Sequence, residues 1–175
     1  MVDAPTLTAD PEVMAAIRPF FGVAWTKFSE VNVPVPDVGA KIGGKVDQNI
    51  KSGIFQNACP IRMSYVLNYT GVPIPQNPYA TASGSDGKWY MYRVNDMMTF
   101  LETTFGAPDR TARAPKPDDF SGLKGLIVVK GSGWSNARGH VTLWNGTTCS
   151  DTCHLLADPD NGTFTPEVAA LWKLH

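Results

Sequence analysis

Cys59 and His140 are the residues of this sequence with the clearest capacity for chemistry. Cys59 stands in the stretch Phe55-Gln56-Asn57-Ala58-Cys59-Pro60-Ile61-Arg62-Met63. The spacing predicts a helix over 57–69, capped by Asn57, with Pro60 tolerated in its first turn and Gly71 and Pro73 ending it. A thiol in a first turn meets unpaired backbone N–H groups and the positive end of the helix dipole, both of which favour a thiolate. A thiolate is a strong nucleophile, and a downstream imidazole can complete the pair that activates it. His140 lies on a predicted strand, Gly139 to Gly146. A cysteine at a helix start followed by a histidine on a strand is the order of any papain-like hydrolase, so it is a generic pattern. Each residue also has a plain structural reading. Cys59 can be a small buried hydrophobe and His140 a satisfied strand residue.

A third group must orient the imidazole. Asn145 is five residues after His140 and would point to the opposite face of a regular strand. Asp151 lies between Cys149 and Cys153, but a symmetric hairpin about Thr148 does not bring it across from His140. On pattern alone it is an ordinary loop aspartate, with Asp158 and Asp160 as competing carboxylates. Cys149 and Cys153 enclose three residues and can close a disulfide if the backbone turns; a metal site would have only His154 nearby. With three cysteines, one thiol is left over, and pairing of the other two would leave Cys59. Arg62, one turn after Cys59, can reach a ligand carboxylate or simply sit on the surface. Trp144 shares the face of His140 and reads as core.

The elements that would hold these residues are mixed. Asp10 to Phe21 has helical spacing, with Asp10 as N-cap and Pro11 at the first position. Val31 to Gly44 is rich in Pro and Gly and reads as loop. Asn95 can cap a further helix whose apolar face is Val94, Met97, Met98, Leu101 and Phe105. Gly125 to Gly131 reads as a buried strand, Gly139 to Gly146 as a second ending in an Asn-Gly turn, and His154 to Ala157 as its return. Helices followed by an antiparallel sheet make an α+β fold. The 175 residues suit a single domain over 1–175, with 43% apolar residues to build its core and 16 Gly and 14 Pro for its turns.

Charge and hydropathy exclude other classes. Fifteen Lys and Arg against 16 Asp and Glu give a net charge of -1, which argues against a general nucleic-acid binder. No apolar run is long enough to span a membrane. The first ten residues carry Asp3 and Asp10 and no basic residue, unlike a secretory signal. An oxidisable cysteine pair in a chain without such a signal is a puzzle, because a cytosol keeps thiols reduced.

Several segments are specific. Gly43-Gly44-Lys45-Val46 and Phe55 to Asn68 resemble the nucleophile region of the fourth family of type VI secretion amidase effectors. Gly139 to Gly146, with Cys149-Ser150-Asp151-Thr152-Cys153-His154-Leu155-Leu156, resembles that family's histidine strand and disulfide loop, and Asp158-Pro159-Asp160-Asn161-Gly162 also fits. The resemblance implies a papain-like cysteine peptidase fold of the NlpC type, with helices packed on an antiparallel sheet. It implies hydrolysis of the bond between γ-D-glutamate and meso-diaminopimelate in peptidoglycan stem peptides, leading to target-cell lysis. Carried onto this sequence, the nucleophile is Cys59, the base His140 and the orienting acid Asp151, with a disulfide between Cys149 and Cys153. Pro60 departs from the alanine common after the nucleophile, and a first-turn proline fits there.

The same resemblance answers the puzzle. A chain made in the producer cytoplasm and exported by type VI machinery needs no signal peptide, and its cysteines could oxidise in the target periplasm. The expected partners are the stem peptide, the secretion machinery and a cognate immunity protein, with no nucleic acid and no membrane. No metal or other cofactor is required. The Cys59 N–H would stabilise the oxyanion, with Gln56 or Asn57 as candidates for a second donor. Rival readings are a papain-like acyltransferase or peptidase acting on another amide, a non-catalytic wall-binding module with a merely buried Cys59, and a structural secreted protein.

Overall fold

A computed structural model of the chain describes residues 18–175. The helix expected from Asp10 lies mostly outside the described residues. At its described end Phe20 is extended, and the helix that is seen, α1 (Phe21–Val31), starts one residue later. Ala24, Phe28 and Val31 recur at helical spacing on its buried face, and the Phe21 N–H donates to the His175 carbonyl at 2.6 Å.

The expected loop over 31–44 is in fact mostly helix. Helix α2 (Val35–Ile42) begins after Pro34, and Pro36 falls in its first turn, where a missing N–H leaves no hydrogen bond unmade. Val38, Gly39 and Ile42 are buried. The break before α3 (Gly44–Lys51) comes at Gly43 and Gly44, both with positive φ, of 72° and 59°. A Cβ on Gly44 would lie 2.7 Å from the Gly84 carbonyl carbon, so this crossing of two backbones requires glycine.

Helix α4 (Cys59–Asn68) is buried at eight of its positions, Cys59 through Ile61 and Met63 through Leu67. Pro60 occupies its first turn. Asn57 is not the N-cap, which is Ala58, yet its Oδ1 accepts the Cys59 N–H at 3.1 Å and so does part of a cap's work. Inside the helix, Ser64 donates to the Pro60 carbonyl at 2.8 Å and accepts the Met91 N–H at 2.9 Å. A small antiparallel pair, β1 (Thr81–Ser83) and β2 (Trp89–Met91), follows. Helix α5 (Val94–Phe105) starts one residue before the expected cap, Asn95, and stops at Gly106, which has φ 82°.

The main sheet is antiparallel, in the order β3 (Arg110–Arg113), β6 (Thr165–Lys173), β4 (Gly125–Ser132), β5 (Gly139–Trp144). Both faces of β4 are buried. Leu126 and Val128 meet Met63, Val66 and Leu67 of α4, while Ile127 and Val129 meet Phe120, Trp144 and Phe164. The expected return strand over 154–157 is absent. His154 and Ala157 have left-handed backbones, φ 60° and 65°, which break a strand, and the Asp158 carboxylate takes the His154 N–H at 2.9 Å. The sheet is completed by β6, which pairs with β4 and not with β5. Among the described residues, no helix is long and apolar enough to cross a membrane. This is the α+β, papain-like arrangement the resemblance implies.

Candidate active site

The first residue of α4 and the second of β5 meet at one cavity. Cys59 is 1% exposed and His140 is 7% exposed. The strand alternation that sends Val141 and Leu143 into the core against α4 sends His140, Thr142 and Trp144 the other way. His140 Nε2 lies 3.0 Å from Asp151 Oδ1. A carboxylate can only accept, so Nε2 carries the proton and Nδ1 is the ring atom left to serve the thiol.

Asp151 arrives there because the turn is tighter than a hairpin about Thr148. Asn145 accepts the N–H groups of Thr147 and Thr148 on its side-chain oxygen, and its own N–H donates to the Thr148 carbonyl at 2.9 Å. Trp144 then pairs with Cys149, and Ser150 donates its N–H to the Leu143 carbonyl at 2.9 Å. Continuing that register sets Asp151 opposite Thr142, one pleat from His140. Ser150 is held further by Thr142 Oγ1 at 2.9 Å and by Asn32, which donates to its carbonyl at 3.1 Å.

A disulfide joins Cys149 to Cys153 around Asp151 and leaves Cys59 as the free thiol. The joined thiols cannot ligate a metal, and no cluster of three or more His, Cys, Asp or Glu among the described residues is arranged to hold one. Closing so short a loop contributes on the order of 2 kcal/mol through the unfolded chain. Cys149→Ser with Cys153→Ser is therefore expected to lower stability by about that amount in thermal or urea unfolding. It should also lower kcat more than it raises KM, because the loop presents Asp151 to the imidazole.

The charges reinforce one another. Burial alone would lower the pKa of His140, but hydrogen bonding and charge from Asp151 and Cys59 outweigh it and hold the imidazole well above its usual range. Burial would raise Asp151; His140, Thr142 and the Arg62 guanidinium turn the net shift downward. His154 stands edge-on to His140, with ring centroids 4.9 Å apart, and its Nδ1 donates to Asn161 Oδ1 at 3.1 Å. Burial and the neighbouring His140 charge lower its pKa, so this second imidazole stays neutral beside the first. Trp134 packs on His154 and stacks on Phe164.

The cavity has a volume of about 400 Å³, and Cys59, His140, Asp151, Gln56, Asn57 and Arg62 all border it. The Cys59 N–H proposed for the oxyanion is held by Asn57 in the free protein. Gln56 is exposed at the rim. Asp158 and Asp160, the competing carboxylates, do not bond to His140. Asp158 binds backbone N–H groups of His154 and Asp160, and Asp160 meets Thr152 at 3.5 Å. Trp134, His154 and the anchoring of Arg62 were not anticipated as features of the site. His154 had a signal only as a conceivable metal ligand, and Trp134 only a glycine-flanked place ahead of His140.

Comparison with known proteins gives the chain a family. The chain matches the family described as type VI secretion system (T6SS), amidase effector protein 4, over residues 55–168. No curated protein matches it. Among solved structures, the effector Tae4 from Salmonella typhimurium, in complex with the immunity protein Tai4 from Enterobacter cloacae, is 64% identical. That match covers 90% of this chain and 100% of the other, with a TM-score of 0.88. The Tae4–Tai4 effector–immunity complex from Enterobacter cloacae is 57% identical, covering 90% of this chain and 99% of the other, also with a TM-score of 0.88. The Tae4–Tai4 complex from Salmonella Typhimurium is 62% identical over 90% and 99%, with a TM-score of 0.83. With α4, β5 and the disulfide loop all inside the matched span, this chain belongs to the type VI secretion amidase effector protein 4 family.

Proposed function

We propose that this single-domain effector is a cysteine amidase that hydrolyses the amide between γ-D-glutamate and meso-diaminopimelate in peptidoglycan stem peptides. The observation that carries the reading is the convergence of Cys59, His140 and Asp151 on one cavity, with the His140–Asp151 contact at 3.0 Å. The Cys59 thiolate attacks the γ-carbonyl while His140 is an imidazolium. The carbonyl oxygen takes the negative charge, and the Cys59 N–H turns to it from Asn57, with the Gln56 side chain as the second donor. Collapse of this adduct breaks the C–N bond, and His140 Nδ1 gives its proton to the departing diaminopimelate amine. Water, deprotonated by the now neutral His140, attacks the thioester. The products are a free γ-carboxylate and the regenerated thiol. Asp151 holds the ring throughout.

The family's delivery route supports action in the target periplasm, where the Cys149–Cys153 pair would be oxidised. An effector acting on siblings' walls calls for an immunity protein, and the Tai4-bound structures of the similar effectors support one here. Purified meso-diaminopimelate sacculi test the reaction. The expected result is one new diaminopimelate amine for each new glutamate γ-carboxyl. Solubilisation without new amines would overturn it.

A further inference from the structure

We propose that Arg62 reads the free α-carboxylate of the γ-linked D-glutamate, so that the enzyme distinguishes this residue from its α-amide. The inference rests on the stem-peptide reading above. Arg62 follows Cys59 by three positions on α4 and borders the same cavity. Its guanidinium is fixed from one side. Nε donates to the Val31 carbonyl at 2.9 Å and Nη2 to the Val33 carbonyl at 2.8 Å, both at the junction of α1 and α2. That leaves Nη1 without a protein acceptor among the described residues. The buried unpartnered side-chain atoms among those residues are Arg18 Nε and Asp47 Oδ1, so Nη1 is reached by solvent. Nor is the charge spent in an ion pair, since the salt bridges of the described residues are made by Arg18, Lys27, Lys51 and His140. The result is a held cation with free donors, one turn from the nucleophile.

The substrate carries a matching group. In a γ-linked glutamate the α-carboxylate is four carbon–carbon bonds from the scissile carbonyl carbon, about 5 Å when extended. One helical turn is about 5.4 Å. An α-linked peptide of a neutral residue has no anion at that place. A pre-fixed planar guanidinium suits a carboxylate because little freedom is lost on binding, and it keeps its proton at neutral pH. An α-carboxamide offers one acceptor in place of two and no charge.

Two defined stem peptides, alike except for an α-carboxylate or an α-carboxamide on the D-glutamate, test this. Wild-type kcat/KM is expected to be roughly 10- to 100-fold lower for the amide, mostly through KM, as for loss of one charge-assisted contact. In Arg62→Gln the ratio should fall to within about twofold, and Arg62→Lys should keep part of it. Each ratio is internal to one protein, so a partly unfolded variant does not distort it, and the wild-type comparison needs no variant. Equal kcat/KM for both peptides in wild type would overturn the role of Arg62 while leaving the reaction standing. So would an undiminished ratio in Arg62→Gln, particularly if Arg93→Gln or Arg138→Gln abolished it, since those arginines border the adjoining cavity of about 360 Å³. Cleavage of neither peptide by wild type would overturn the reaction reading itself.

Discussion

Cys59→Ala protein is expected to be folded and inert, with kcat lowered by on the order of 10⁴- to 10⁶-fold on stem peptide. The thiolate is the only group in the cavity that the mechanism asks to form a covalent bond. Without it, His140 and Asp151 can still orient a water, and the oxyanion donors remain, so the residual rate is that of general base catalysis alone. The structural cost is small. The Cys59 side chain is packed with Met63 and Val66, and trimming one buried sulfur costs about 1 kcal/mol. Kinetics and a thermal melt on the same sample separate the two effects. Near wild-type turnover in the variant would remove Cys59 from the mechanism. Lost turnover with a collapsed melting transition would show that its role is packing.

Asp151→Asn is expected to lower kcat by about 10²- to 10⁴-fold and to narrow the pH range of activity from the alkaline side. Asparagine can donate to Nε2, which puts the ring proton on Nδ1 and turns the wrong tautomer toward the thiol. It also removes the charge that holds His140 up. The sign follows from the direction of the His140 shift. Its pKa in the folded protein lies above the ordinary 6.5, so the imidazolium persists as pH rises past that value and is lost only well above it. The alkaline limb of kcat/KM in wild type should therefore lie above 6.5 and should move down in Asp151→Asn. A limb that stays in place would mean that Asp151 does not govern the charge on His140.

How far the site could be read from sequence depended on how local each signal was. Cys59 at a helix start and His140 on a strand are each set by a dozen neighbouring residues, and both elements stand within two residues of their expected bounds. Asp151 was different. Its place beside His140 hangs on the Asn145 side chain folding the turn and on the pairing of Trp144 with Cys149, neither visible as a periodicity. Only the family resemblance pointed to it. Helix α2 was hidden because Pro34, Pro36 and Gly39 count as breakers when tallied, although a proline in a first turn and a glycine packed against Asp47 break nothing. The strand expected over 154–157 failed because Asp158 and Asn161 bind the backbone and ring of His154 and curl the chain. The anchoring of Arg62 on Val31 and Val33 joins residues far apart in sequence, beyond any local pattern.

If Cys59 cuts the amide between γ-D-glutamate and diaminopimelate, the masses of the products from a defined stem peptide will show it. Wild-type and Cys59→Ala protein, both with the Cys149–Cys153 bond intact, would be incubated with the same peptide. Two fragments are expected from wild type, one ending in D-glutamate with a free γ-carboxyl and one beginning with diaminopimelate, and uncut peptide from the variant. Cleavage at a different bond, or the same fragments from both proteins at similar rates, would contradict it.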